Sequence, residues 1–244
     1  MKAFLDLQMR RNLFLKRITY IRHLFGEKKN WFFYSMVFLF SLSTLFRSLD
    51  PGKPVYDTVY RNLFSPSSMT FLLYPLFLLL IMHNCSLFDH PYVVPKMGKR
   101  KNWWKTRIQY LVWDIGLFLL FTNGLAIALS LILGKMNSSL PLIKILLNMV
   151  LQFLGYFFLA VLFLTVRVWS GEAVYGFLAA YSVVAADYII LQTSFDINLL
   201  MLHIFVLTTG RVWLSNFIYL LFLCATITIG GYFVIKEIDI SIHF

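Results

Sequence analysis

The sequence predicts an all-α polytopic membrane protein with six transmembrane helices. Three observations predict it. The 244 residues are 59% hydrophobic and only 14% charged, with a mean hydropathy of +0.74; a soluble domain of this size needs more charge to cover its surface. Six continuous apolar runs are each long enough, at 1.5 Å per residue, to cross a hydrocarbon core of about 30 Å. The net charge of +11 is carried mostly by alternate connections, as expected when Lys and Arg stay on the cytoplasmic side. A transmembrane barrel would show short alternating strands instead.

The first 30 residues precede the first run. Phe4, Leu7, Phe14, Ile18, Ile21 and Phe25 recur at steps of three, four or seven, with Arg10, Asn12, Lys16, Thr19 and His23 on other faces and Arg11 breaking the stripe. Such a pattern predicts a basic amphipathic helix lying in the headgroup plane, where anionic lipid attracts it. A plain orientation signal is the simpler reading. No small-residue cleavage site follows, so no cleavable leader is expected.

The spans are predicted at 31–49, 69–88, 108–133, 142–166, 173–191 and 214–235. Lys2, Arg10, Arg11, Lys16, Arg17, Arg22, Lys28 and Lys29 precede the first span. Lys96, Lys99, Arg100, Lys101, Lys105 and Arg107 lie between the second and third, and Arg167 and Lys236 follow the fourth and sixth. That side holds 16 of the 22 basic residues, so both termini are predicted to be cytoplasmic. The stretch 197–209, "INLLMLHIFVLTT", is apolar but too short to span. It predicts a re-entrant segment at the outer surface, with His203 in protein-lined or wet surroundings. No internal repeat or low-complexity stretch is visible.

Several chemistries have no sequence support. There is no phosphate-binding GxxxxGK[ST] loop, no HExxH and no GxSxG. Cys85 and Cys224 fall in or beside apolar runs and read as small buried hydrophobes, with neither a disulfide nor a zinc site expected. His83, His90 and His203 sit in separate segments with no acidic partner at metal-ligand spacing. Asn137-Ser138-Ser139 matches a glycosylation acceptor in a short outer loop, a pattern common by chance. Basic charge in such a chain marks cytoplasmic loops before it marks a nucleic-acid site, so no nucleic-acid partner is expected.

Acidic residues at membrane depth are expensive and often functional. Asp114, near the inner edge of the third run, is placed to reach water, Lys105 or Arg107. Asp187, in "VVAADYIILQ", lies near the outer end of the fifth run. It reads either as a carboxylate facing the bundle interior or as a polar spot on a substrate route or a proton site. Lys144 and His203 are its candidate companions in an intramembrane polar site.

The connection 89–107 runs into the third predicted span through "VVPKMGKRKNWWKTRI", residues 93–108. Pro91 and Pro95 restrict its entry and Gly98 allows a tight turn. Trp103 and Trp104 suit the headgroup boundary. Lys96, Lys99, Arg100 and Lys101 are left to meet water, anionic lipid headgroups or an acidic protein groove. The hydrophobic stretch, basic residue, glycine, arginine and aromatic pair (Val93, Val94, Lys96, Gly98, Arg100, Trp103 and Trp104) resemble the connection between the second and third spans in the membrane subunits of type-2 ABC exporters, the ABC-2 permeases. The layout is similar to theirs over nearly the whole chain: an interfacial helix, six spans, and a re-entrant segment before the last. Two features depart from that pattern: the outer loop from Asp50 to Ser68 is short, and the connection "RVWSGE" leaves little for a second docking contact.

The resemblance implies a subunit without bond chemistry of its own. A separate cytoplasmic ATP-binding subunit would hold ATP and Mg2+. The 89–107 segment would be the coupling element docked on it, through Pro95, Lys96, Gly98, Lys99, Arg100, Trp103 and Trp104. A second permease chain, identical or related, would pack through the first and fifth helices. The abundance of aromatic side chains, 18% of the chain, and the short outer loops suit an amphiphilic cargo such as a peptide, antibiotic or lipid. The rival reading is a stand-alone membrane enzyme or membrane factor that uses Asp187, Asp114 or the histidines, with no recognisable catalytic motif behind it.

Overall fold

A computed structural model describes residues 28–47, 62–88, 100–132, 142–193 and 211–237. Six long helices account for nearly all of them: α1 (Lys28–Arg47), α2 (66–88), α3 (Arg100–Ile132), α4 (Leu142–Ser170), α5 (Ala173–Gln192) and α6 (Arg211–Glu237). Five, all but α1, are long and apolar enough to cross a membrane. The first of the six predicted spans is thus the weakest: its 20-residue helix begins with two lysines and Asn30 and ends in Arg47. The amphipathic helix expected within 1–30 (apart from its last three residues), the segment holding Pro95, Lys96, Gly98 and Lys99, and the stretch 197–209 with His203 lie outside the described residues. Arg100 and Lys144 are described as helix backbone only.

Local chemistry sets the helix ends and one irregularity. Ser65 caps α2, its Oγ accepting from the Ser68 N–H at 3.3 Å, with Pro66 in the first turn where no N–H is needed. Met69–Leu73 then forms a π-helical turn, in which the Tyr74 N–H reaches back to the Met69 carbonyl. Pro75 explains it. A proline inside an α-helix removes one N–H and drives its ring into the carbonyl four residues back; widening the preceding turn relieves that clash. Between α4 and α5, Gly171 stops α4 with φ 79°, its N–H on the Arg167 carbonyl at 2.8 Å, and α5 starts two residues later.

Within the helices, hydroxyls bond the carbonyl one turn back. Ser41 donates to Val37, Thr122 to Phe118, Thr165 to Val161 and Thr228 to Cys224. This keeps polar side chains satisfied where no water reaches. Cys85 and Cys224 are both buried and unbridged, as read from the sequence. Neither is expected to react with a water-soluble maleimide until the chain is unfolded in SDS, which mass-shift gels check directly.

Consecutive helices alternate in direction. The Arg107 guanidinium near the start of α3 reaches the Cys85 carbonyl near the end of α2. Gly176 near the start of α5 meets Phe163 and Arg167 near the end of α4, and Gly231 near the end of α6 meets Trp104 and Thr165. At the opposite end, the Trp213 indole N–H of α6 donates to the Leu147 carbonyl of α4 at 3.0 Å, and Phe71 packs edge-on to Tyr188. One end therefore gathers the starts of α1, α3 and α5 with the ends of α2, α4 and α6. This basic end carries Lys105, Arg107, Arg167 and Lys236. The centre of the bundle is aromatic: Phe77, Phe118 and Tyr156 meet pairwise with ring centroids 4.6–5.5 Å apart, and Tyr74 lies against Tyr156.

Candidate functional site

The third span starts eight residues earlier than hydropathy suggests. Arg100 to Arg107 are helix, continuous with the span, so the basic connection expected over 89–107 ends as the first turns of α3. At 33 residues α3 is about 50 Å long, well beyond the hydrocarbon thickness. The extra turns carry a buried face. Trp103 and Trp104 are buried, as are Arg107, Leu111, Asp114, Ile115 and Phe118 further along, the three-and-four spacing of one helical face. The depth-fixing contacts expected of the two tryptophans at the headgroup boundary are made with protein instead. Lys105, between them and Arg107, points outward.

Three polar layers line the bundle interior. At the basic end the Arg107 guanidinium lies 5.3 Å over the Trp103 ring and donates to the Cys85 carbonyl at 3.4 Å. One step further in, the Asn84 amide donates to the Asp114 carboxylate at 3.1 Å, with Tyr34 of α1 within electrostatic reach. Asp114 is thus held inside the bundle rather than at a wet edge. In the third layer the Asn123 amide donates to Gln152 Oε1 at 2.9 Å, joining α3 to α4.

Asp187 is buried in the same half of the bundle as the third layer. The phenols of Tyr74 and Tyr219 are within its electrostatic reach, and the Tyr156 hydroxyl donates to the Met69 sulfur of the π-turn at 3.8 Å. Of the three residues predicted to share this site, only Asp187 is fully described. The α4–α5 register places the Lys144 backbone some ten residues, about 15 Å, further along the bundle than Asp187. The tyrosines escaped the sequence reading because nothing in their local pattern separates a core phenol from one beside a carboxylate.

At the basic end, α1, α2 and α5 leave an apolar groove of about 560 Å³ lined by Phe32, Phe33, Leu79, Met82, His83 and Val174. No group of His, Cys, Asp and Glu capable of holding a metal occurs among the described residues.

The chain is a polytopic, largely helical membrane protein. Comparison with protein-family models, with curated proteins and with solved structures gives no match.

Proposed function

We propose that this chain is the membrane subunit of an ATP-driven exporter of the ABC-2 type, moving an amphiphilic substrate outward with energy from a separate cytoplasmic ATPase. The observation that carries the reading is the junction between the basic connection and α3. A loop that receives force must hand it to something stiff. Here the connection runs directly into a single uninterrupted helix whose first turns are packed into the ends of its neighbours.

Electrostatics at that junction supports an acidic partner. The first turn of α3 contains Arg100 and Lys101 and no acidic residue. Cations at the positive end of a helix macrodipole are unfavourable by about 0.3–1 kcal/mol each. An acidic groove on an ATPase would reverse that sign; lipid phosphate would do so too, and is the simpler alternative. In the exporter reading ATP closes the ATPase pair, the closure moves the connection, and α3 carries the motion into the spans. ATP acts by binding two conformations unequally, which is what shifts the equilibrium between them.

The test is recovery of an ATPase with the tagged full-length chain, extracted in mild detergent from the membranes of its own cell. The double variant Lys99→Glu, Arg100→Glu is expected to insert normally, because the other inside charges still set orientation, and to lose at least about tenfold of the recovered ATPase activity. No ATPase with the unaltered chain, or equal recovery with the variant, rejects the reading. The buried group around Asp187 favours the alternative of a membrane enzyme or factor. In that case Asp187→Asn would abolish activity in a chain that binds no ATPase.

A further inference from the structure

We infer that Trp104 is the pin through which movement of the basic connection reaches α6, with Gly231 as its socket. The inference rests on the exporter reading and adds a residue-level route to it. A methyl group built at Gly231 would sit 2.8 Å and 2.9 Å from the outer ring carbons Cη2 and Cζ2 of Trp104, and 2.5 Å from Thr165 Oγ1. Real Cβ atoms do not approach other atoms so closely, so only glycine lets the three helices meet there. Thr165 cannot swing aside freely, because its hydroxyl donates to the Val161 carbonyl at 2.8 Å. The neighbouring Gly230 has open space around it, which makes it an internal control.

The placement is what gives the contact a mechanical role. Trp104 is four residues, about one turn, past the start of α3 at Arg100, where the basic connection joins it. Its indole is buried, with its outer ring edge against Gly231 of α6 at the point where Thr165 of α4 also meets that glycine. Gly176 holds α5 against the same end of α4 in the same way, with its would-be methyl 2.6 Å from the Phe163 carbonyl oxygen. A sideways push on the first turn of α3 therefore meets α6 at a contact with no slack. Packed contacts of this kind transmit small displacements because they switch between arrangements instead of deforming.

The test follows cysteine labelling rates in the complex of the full chain with its ATPase, with and without ATP plus vanadate. Single cysteines replace Lys105 on α3 and Lys236 on α6, both exposed. In the unaltered background and with Gly230→Ala, both positions are expected to change rate on nucleotide trapping, by about fivefold or more. With Trp104→Phe, which keeps an aromatic core residue but withdraws the outer ring, position 105 still responds and position 236 does not. Gly231→Ala is expected to behave likewise. If Gly231→Ala fails to assemble, Trp104→Phe alone decides. A response at 236 that survives Trp104→Phe, or no response at 236 in the unaltered complex, overturns the pin while leaving the exporter reading intact. Failure to recover any ATPase overturns both.

Discussion

Replacing Gly176 with leucine is expected to prevent α4 and α5 from packing, with a loss of about 3 kcal/mol or more of stability. The nearest atom to a new Cβ would be the Phe163 carbonyl oxygen, at 2.6 Å, followed by Arg167 Cβ and the Phe163 ring at 3.2 Å. A flexible side chain could move away; a helix backbone oxygen cannot without displacing the helix. The two-residue connection through Gly171 holds α5 in register beside α4 and leaves little freedom to shift. Even alanine is expected to lower stability by roughly 1–3 kcal/mol at this position. Gly116→Ala is the control: no atom lies within 4 Å of its would-be Cβ, so the higher helix propensity of alanine is expected to leave stability unchanged or raise it by up to about 1 kcal/mol. Thermal melts of the detergent-solubilised chain compare the three. A Gly176→Ala melting temperature at or above that of the unaltered chain contradicts this packing of α5 on α4.

Asn84→Leu is expected to cost about 2–3 kcal/mol, because it takes a hydrogen-bond donor from the buried Asp114 carboxylate. Asp114→Leu removes the acceptor of the Asn84 amide and is expected to cost about 1–3 kcal/mol as well. The double variant Asn84→Leu, Asp114→Leu is the informative one. Breaking one side of a buried polar pair is worse than replacing both sides with apolar groups of similar size. The double variant should therefore lie closer to the unaltered chain than Asn84→Leu does, with a coupling of about 1–2 kcal/mol. Neutral polar pairs in membrane bundles average about 0.6 kcal/mol, and the carboxylate places this pair above that average. Strict additivity in unfolding titrations would show that the Asn84–Asp114 bond does not hold α2 to α3.

Much of the architecture was readable from hydropathy, and the residues show why. The runs starting at Leu142 and Ala173 coincide with the first residues of α4 and α5, because Pro141 and the "SGE" turn break the pattern sharply. The start of α3 was misplaced by eight residues for the opposite reason. Arg100, Lys101 and Lys105 lower local hydropathy, while Trp103, Trp104 and Arg107 keep a helical buried face. A periodicity reading that allowed a buried arginine would have found it. Pro75 likewise signalled a disturbance in α2, but not that the relief would be a π-turn at Met69–Leu73.

The amino-acid order alone determined that this chain is helical and membrane-spanning, and that basic residues gather at one side. Both follow from local properties: in hydrocarbon a backbone must satisfy its own hydrogen bonds, and the length of each apolar run sets whether it can span. Which of two adjacent glycines, Gly230 or Gly231, receives a tryptophan from another helix was decided only by tertiary structure. So were the pairing of Asn84 with Asp114 and the burial of Asp187 inside the bundle. Those choices depend on the rotation and crossing of helices far apart in sequence, and a run of apolar residues carries almost no information about which side of it will face which neighbour.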